Sequence, residues 1–188
     1  MKFRLLREDE IEVRVGTVNE TGCSLLLYKN ARCDMNILDE TVGAGKWQRR
    51  HYECKGNLFC SVGIFNGTEW IWKDDCGSES NAEKEKGEAS DSFKRACVNW
   101  GIGRELYTAP RIWLTFKALK NEEGKPLIKT EQDKRTGRLK VKDDFYVERI
   151  AYDESNRIGG LAVRVKKFSK DIRVFEHWDG KTTKGEAS

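Results

Sequence analysis

The chain has 188 residues and a formal net charge of +4; 38% of its residues are hydrophobic and 35% are charged. Soluble domains usually have about 45–50% apolar and about 25% charged residues, so we expect a thin core, with part of the apolar surface buried between subunits. Apolar runs fall short of the roughly 18 residues of a membrane span, and acidic residues begin too early for a signal peptide. These features exclude a membrane protein and a secreted precursor, and we expect a cytoplasmic protein.

The first predicted elements are a β-hairpin and a helix. Residues 12–18 alternate in polarity, residues 23–28 form an apolar run, and residues 19–22 have the composition of a turn, which together predict the hairpin. Residues 30–42 place apolar side chains at helical spacing, and Gly43 is expected to end this helix. The chain therefore begins with the order β-β-α.

Three strands and a second helix follow. Residues 47–52, 57–65 and 69–74 are predicted strands, joined by turns that contain Asn and Gly. The second helix is expected to begin with a capping box of Ser80 and Glu83. Its predicted apolar face repeats at helical offsets and comprises Ala89, Phe93, Ala96, Cys97 and Trp100.

The last part of the chain is predicted to be rich in β-structure. Residues 111–119 form a predicted strand, residues 120–142 a polar and basic mobile hairpin or loop, and residues 145–152 and 161–168 a final hairpin. The whole pattern predicts an α+β fold in which an antiparallel β-sheet packs on a long helix. The order β-β-α-β-β-β-α forms its core.

Charge and composition divide the chain into three predicted segments. Residues 1–110 form the core, residues 111–181 a β-rich basic extension of the same domain, and residues 182–188 a flexible tail. The first segment has a net charge of −2, whereas residues 111–188 carry a net +6. This excess fits either ordinary solvated charge or a face that follows a polyanion.

Catalytic signatures are scarce in this sequence. Neither a serine nucleophile elbow nor a P-loop occurs. A Mg²⁺-dependent nuclease is the leading enzyme candidate, because Glu53 and Lys55 have acid-x-Lys spacing and Asp34 or Asp39 could share the ion. The same spacing arises by chance in so charged a chain. The six cysteines lack the closely spaced pairs of zinc sites. We therefore predict no catalytic residue, no metal and no cofactor.

Basic residues on the two helices are candidate nucleic-acid ligands. Lys86 and Lys94 flank a serine at i, i+4 spacing, and this small residue would let a phosphate backbone approach closely. Arg32 lies in the first helical turn, where the helix dipole favours anions and the guanidinium adds a bidentate phosphate donor. The alternatives are a solvated face for the lysines and, for Arg32, pairing with Asn36 or Asp39.

Two further features each allow two interpretations. Arg95 could bind a phosphate, or it could pair with Asp91 four residues earlier. Trp72 lies two residues from another tryptophan and would share a strand face with it, which suits either stacked bases or packing. We favour packing for Trp72, as for Trp47 and Trp100.

Two segments resemble single-strand annealing proteins of the Rad52 type, in particular the short recombinases of bacteriophages and prophages. One segment is residues 26–43 followed by Trp47, and the other is residues 87–103. The second carries the more specific motif, which is Ser-Asp, two residues, Lys-Arg-Ala, and an aromatic residue with glycine at the helix end. The resemblance covers about residues 12–110.

The resemblance implies an oligomeric ring with a positive groove, which holds single-stranded DNA with its bases turned outward for pairing. It assigns DNA contacts to Arg32, Lys86, Lys94 and Arg95, and less directly to Lys29. The implied function is ATP-independent strand annealing for recombination and DNA repair in the cytoplasm of a bacterial host. The implied partners are single-stranded DNA, the annealed duplex and further copies of the chain. A host single-strand-binding protein is a further candidate partner.

Two other functions remain open at this point. One is a module that binds single-stranded DNA or RNA without accelerating its pairing. The other is the Mg²⁺-dependent nuclease, which requires Glu53. Strand cleavage, strand binding and strand pairing are separate measurements, so the three functions can be told apart.

Overall fold

The computed structural model describes residues 1–77, 84–121, 123–168 and 170–182, without the side chains of residues 84–86. Two α-helices and eleven β-strands occur in this part of the chain. The elements are β1 (Ile11–Val18), β2 (Gly22–Lys29), α1 (Ala31–Val42), β3 (Trp47–Cys54), β4 (Asn57–Phe65), β5 (Trp70–Cys76), α2 (Lys84–Trp100), β6 (Ile112–Thr115), β7 (Thr130–Gln132), β8 (Leu139–Val141), β9 (Phe145–Tyr152), β10 (Ile158–Val165) and β11 (Ile172–Trp178).

The contacts divide the chain into two compact units. Unit 1 comprises Met1–Leu6 and Lys29–Arg104, and unit 2 comprises Arg7–Tyr28 and Glu105–Ser188. The predicted antiparallel α+β architecture with two helices is confirmed. The oligomeric ring and the domain boundary after residue 110 stay predictions. No helix within the described ranges is long and apolar enough to cross a membrane.

Unit 1 is a three-stranded antiparallel sheet with both helices packed against it. The strand order is β3-β4-β5, and the register pairs Arg49 with Val62 and Gly63 with Trp72. Helix α2 packs against β4 and β5, whereas α1 contacts both α2 and β3. The predicted capping box of Ser80 and Glu83 lies outside the described residues.

The core of unit 1 follows the predicted apolar face of α2. Phe93, Ala96 and Cys97 are each 0% exposed, and Val62 of β4 is equally buried. Burial of a side chain as large as Phe93 contributes roughly 1.5–3 kcal/mol. The indole N–H of Trp100 donates to the Val62 carbonyl at 3.0 Å. The packing interpretation of Trp100 is confirmed.

The other two tryptophans assigned to packing also make contacts within unit 1. The indole N–H of Trp47 donates to the carboxylate of Asp39 at 2.6 Å, and its ring lies 6.1 Å from that of Phe93. The ring of Trp72 lies under the Arg50 guanidinium, which is 4.2 Å from the ring centroid. These contacts confirm that both side chains serve packing.

Unit 2 is built on a six-stranded antiparallel sheet in the order β11-β10-β9-β1-β2-β6. Strand β10 is its most buried strand, and Leu161, Val163 and Val165 are each 0% exposed. The ring of Trp178 lies so close to Gly160 that any side chain at Gly160 would collide with it. The close fit of β11 on β10 therefore depends on glycine at this position.

Two predicted features of unit 2 need correction. Strand β11 was not predicted, although six of its seven residues pair with β10. Charged residues interrupt its apolar pattern, so its strand conformation depends on the non-local ladder with β10. The predicted strand at 111–119 is confined to Ile112–Thr115, because a turn closes with a hydrogen bond from Ala118 N–H to the Thr115 carbonyl. The short β7–β8 hairpin lies within the predicted hairpin or loop at 120–142.

Candidate functional site

A pocket of about 420 Å³ opens in unit 1 between α1, β3 and α2. We call it the basic pocket. Its side-chain lining includes Arg32 and Met35 from α1, Arg49 and His51 from β3, and Ala89 and Ser90 from α2. No acidic side chain of the described residues lines it. The pocket therefore combines positive charge with hydrogen-bond donors, which suits an anionic ligand.

The start of α1 positions Arg32 at the rim of this pocket. The side chain of Asn30 caps the helix by accepting the backbone N–H of Cys33 at 3.0 Å. Arg32 therefore lies in the first turn, next to the positive end of the helix dipole, and its side chain is exposed. Within the described residues its guanidinium forms no ion pair. The alternative pairing of Arg32 with Asn36 or Asp39 is not formed in the described part of the chain, where Asp39 instead accepts the indole N–H of Trp47.

Two residues of β3 that the sequence did not single out complete the lining. The exposed Arg49 guanidinium lies over the ring of Phe93, 4.7 Å from its centroid. The Nε2 atom of His51 lies 3.1 Å from the carbonyl oxygen of Ala89. The period-2 pattern of β3 puts both side chains on one face with Trp47, and this pattern was the available signal.

Of the predicted row on α2, which consists of Lys86, Ser90 and Lys94, only Ser90 lines the pocket among the described side chains. The half-buried Lys94 lies one turn later, outside the lining. Arg95 donates to Asp91 at 2.8 Å, so the alternative interpretation of an i, i+4 ion pair is realised. Lys86 belongs to the helix, but its side chain lies outside the described part of the chain.

Lys29 lies inside unit 1 and not on its surface. Its side chain is 5% exposed and forms an ion pair with Asp34, which is 0% exposed. The ammonium also donates to the backbone carbonyl of Lys94 at 3.3 Å. A side chain at Gly103 would collide with the methylenes of Lys29. Because Lys29 neutralises a buried carboxylate, its ammonium does not face a ligand in this unit.

The residues of the nuclease hypothesis do not form a metal site in the described part of the chain. Asp34 is paired with Lys29, and no group of three His, Cys, Asp or Glu residues lies close enough to hold an ion there. Glu53 is exposed on β3. Burial raises the pKa of the Cys60 thiol to about 11, which disfavours the thiolate that a metal would need.

A family model for Rad52/22 family double-strand break repair proteins matches residues 32–125, which is half of the chain. The chain belongs to the Rad52/22 family. The matched span begins at Arg32 in the first turn of α1 and includes β3, β4, β5 and α2, so it contains Arg32, Arg49 and His51 of the basic pocket, whereas the lining residues Asn30 and Ala31 lie just before it. Searches among curated proteins and among solved structures found no match.

Membership confirms the resemblance seen in the two sequence segments. It assigns this Rad52/22 protein to double-strand break repair at the level of the family. Members of the Rad52/22 family are, in general, DNA-annealing proteins and not catalysts. The narrower assignment to the phage and prophage branch stays a prediction.

Proposed function

We propose that this protein anneals complementary single strands of DNA without ATP, in recombination and repair. The observation that carries the proposal is the basic pocket, where Arg32 and Arg49 approach from two different elements and no acidic side chain among the described residues contributes to the lining. Both arginines lie within the span that matches the Rad52/22 family. A positive, open site in which the described residues bring no three metal-ligating side chains together suits binding of a nucleic-acid backbone.

Annealing needs charge neutralisation and no catalytic group. Complementary strands repel each other through their phosphates, and cations that bind one strand release its counterions. A strand held extended loses less entropy when it pairs, provided that its base edges stay free. Stacking in the new duplex supplies roughly 1.4 kcal/mol per base step, so the reaction proceeds without nucleotide hydrolysis.

Four basic residues are proposed as phosphate ligands. Arg32 is the strongest candidate because it is exposed, lines the pocket and can bind a phosphate in bidentate geometry. Lys94, Arg95 and Lys86 would extend the path along α2. In this proposal Lys29 does not contact DNA, because it forms the buried ion pair with Asp34 inside unit 1.

The proposal includes assembly and cellular context. Copies of the chain would form an oligomeric ring in which one strand passes from pocket to pocket with its bases turned outward. The exposed hydrophobic side chains of this small protein, among them Trp70 and Ile71, are consistent with burial between subunits. The proposed location is the bacterial cytoplasm, and a host single-strand-binding protein is a candidate partner.

The test is the annealing of two complementary fluorescent strands by the full chain, without nucleotide and with Mg²⁺. We expect faster annealing with the wild type, a several-fold slower rate with Arg32→Ala, and a wild-type rate with Arg157→Ala. Arg157 is a matched control, since it is an equally exposed arginine of unit 2 that lies outside the pocket. Strand binding without acceleration would replace the proposal with a binding module. Cleavage lost in Glu53→Ala would replace it with the nuclease.

A further inference from the structure

We propose that β3 forms a second wall of phosphate ligands, Arg49 and His51, and that His51 binds as imidazolium, so that DNA binding takes up a proton. We call these two residues the β3 wall. The inference rests on the proposed function and adds to it both new ligands and a dependence on pH. Neither residue lies on the two helices or in the two segments that resemble the Rad52 family.

The contact of Arg49 with Phe93 orients its guanidinium for binding an anion. Its guanidinium lies over the ring of Phe93, which is 0% exposed and therefore fixed in position. A guanidinium stacked on an aromatic ring keeps its N–H groups at the edge of its plane, where they can bind phosphate oxygens. No carboxylate within the described residues pairs with Arg49. Its charge is thus available to a ligand that enters from the side of Arg32.

The hydrogen bond of His51 decides which ring nitrogen carries the proton. A backbone carbonyl can only accept, so Nε2 must donate to the Ala89 oxygen 3.1 Å away. In the neutral ring the second nitrogen, Nδ1, is then an acceptor, which repels a phosphate oxygen. Protonation turns Nδ1 into a donor and adds a positive charge, while the bond to Ala89 stays intact. The ring can therefore change charge without changing its orientation.

The charges around His51 couple this protonation to the ligand. Arg32 of α1 and Arg49 of β3 line the same pocket, so a phosphate held there lies close to the imidazole of His51 as well. Glu53 follows on β3, and the Glu88 carboxylate of α2 accepts the backbone N–H of Leu58. On the neighbouring strand β4, the buried Cys60 faces His51 in the register.

A phosphate between the two arginines attracts the imidazolium, because the two carry opposite charges. The protonated ring is then favoured in the complex more than in the free protein. Binding should therefore strengthen as the pH falls through the range in which histidine titrates.

The sequence makes this dependence easy to isolate, because the chain has only two histidines. The other, His177, lies on β11 in unit 2 and does not line the basic pocket. His177→Gln is therefore a matched control. It removes the same titrating group without touching the proposed site.

The experiment measures the Kd of a short fluorescent oligo-dT for the full chain at pH 6 and pH 8, at equal ionic strength. We expect wild-type and His177→Gln affinity to be roughly three- to tenfold higher at pH 6 than at pH 8. His51→Gln should lose this difference and bind at both pH values about as the wild type does at pH 8. His51→Arg should bind tightly at both, since its charge is permanent.

Arg49 is tested in the same assay by two substitutions. Arg49→Ala should weaken binding roughly five- to thirtyfold and reduce the slope of log K against log salt by about 0.7, the value of one single-strand phosphate contact. Arg49→Lys keeps the charge and should lose less affinity. Thermal unfolding of each variant identifies any loss that comes from the fold through the Phe93 contact.

The outcomes separate the β3 wall from the proposed function. If Arg32→Ala weakens binding while His51→Gln keeps the wild-type pH dependence, or Arg49→Ala keeps wild-type affinity, the β3 wall is wrong and the proposed function stands. If the wild type does not bind oligo-dT at either pH, both are wrong. Loss of the pH dependence in His51→Gln alone, with normal folding, supports the β3 wall.

Discussion

The two units of this protein use their positive charge in opposite ways. Residues 111–188 carry a net charge of +6, yet the side chains of Arg164 and Arg173 converge on the single carboxylate of Glu148. Unit 1 has 14 basic and 12 acidic residues, a net charge of only +2, yet its Arg32 and Arg49 line a pocket that no acidic side chain of the described residues lines. The comparison teaches that the placement of cations, and not their number, identifies a binding surface.

Cross-strand geometry explains the pairing in unit 2. Glu148 of β9, Arg164 of β10 and Arg173 of β11 lie on three neighbouring strands, so both guanidiniums reach the same carboxylate at 2.7 and 2.6 Å. The hydrogen bonds from Arg173 and Arg164 lower the pKa of Glu148 to about 2. In the same unit, Lys167 pairs with Asp143 and donates to the Leu127 carbonyl.

The largest expected effect comes from the buried ion pair of Lys29 and Asp34 in unit 1. Lys29→Met leaves the carboxylate of Asp34 inside the unit without its cation, so we expect a loss of about 3–5 kcal/mol in the free energy of unfolding. Urea denaturation measures this loss. The double variant Lys29→Met with Asp34→Leu removes both charges and should recover most of it. A double variant no more stable than the single one would show that the loss comes from the shape of the lysine.

The next largest effect concerns the ion pairs of Glu148 with Arg164 and Arg173 in unit 2. Glu148→Gln should lower the free energy of unfolding at pH 7 by about 1–2 kcal/mol, because two arginines lose a partly buried charged partner. The folded-state pKa of Glu148, about 2, is below its ordinary value of 4.5. The stabilisation is therefore complete above pH 4.5 and is lost as the pH falls towards 2.

Urea denaturation at several pH values tests this sign. The difference between wild type and Glu148→Gln should be constant from pH 7 to pH 5 and should shrink below pH 4.5. DNA affinity at pH 7 should be the same in both proteins, provided that both are folded. An increase in affinity in the variant would mean that the arginines of unit 2 also bind DNA, and would break the comparison.

A smaller effect is expected when one lysine is removed from each unit, the half-buried Lys94 from unit 1 or the exposed Lys140 from unit 2. Lys94→Ala should weaken oligo-dT binding roughly three- to tenfold and reduce its salt dependence by about one phosphate contact. Lys140 lies on β8 of unit 2 and is paired with Asp133. Lys140→Ala should change the affinity less than twofold. Equal losses in the two variants would indicate a non-specific response to net charge.

The smallest expected effect tests the pair on α2. Asp91→Asn removes the carboxylate that holds Arg95, so a bound phosphate would compete with one fewer anion. We expect affinity for oligo-dT to increase about twofold, with a change of at most about 0.5 kcal/mol in the free energy of unfolding, as is usual for exposed i, i+4 pairs. A decrease in affinity would show that the ion pair positions Arg95 for DNA.

Local signals in the sequence were sufficient for most of unit 1. The helix that ends at Gly43, the glycine-containing turns and the apolar face around Phe93 each act within a few residues, so both helices and β3 to β5 were predictable. Strand β11 was not, because its conformation depends on pairing with β10. The boundary of β6 was also missed, since a turn shortens the expected strand.

The site was predictable only in part. The position of Arg32 follows from its place in the first turn of α1, which sequence alone indicates. The burial of Lys29 could not be predicted from the sequence, because it depends on the pairing of Lys29 with Asp34 and on its close approach to Gly103, which is far away in the chain. Arg49 and His51 carried no motif, and only the packing of β3 beside both helices brings them into the pocket.

The sequence by itself determined the element order as far as α2, the apolar face of α2 and membership in the Rad52/22 family, because these depend on local periodicity and on residue patterns along the chain. Only the tertiary structure decided which cations face a ligand. Charge pairing depends on distances of a few ångströms between residues far apart in the chain, and neither charge counts nor spacing encode those distances.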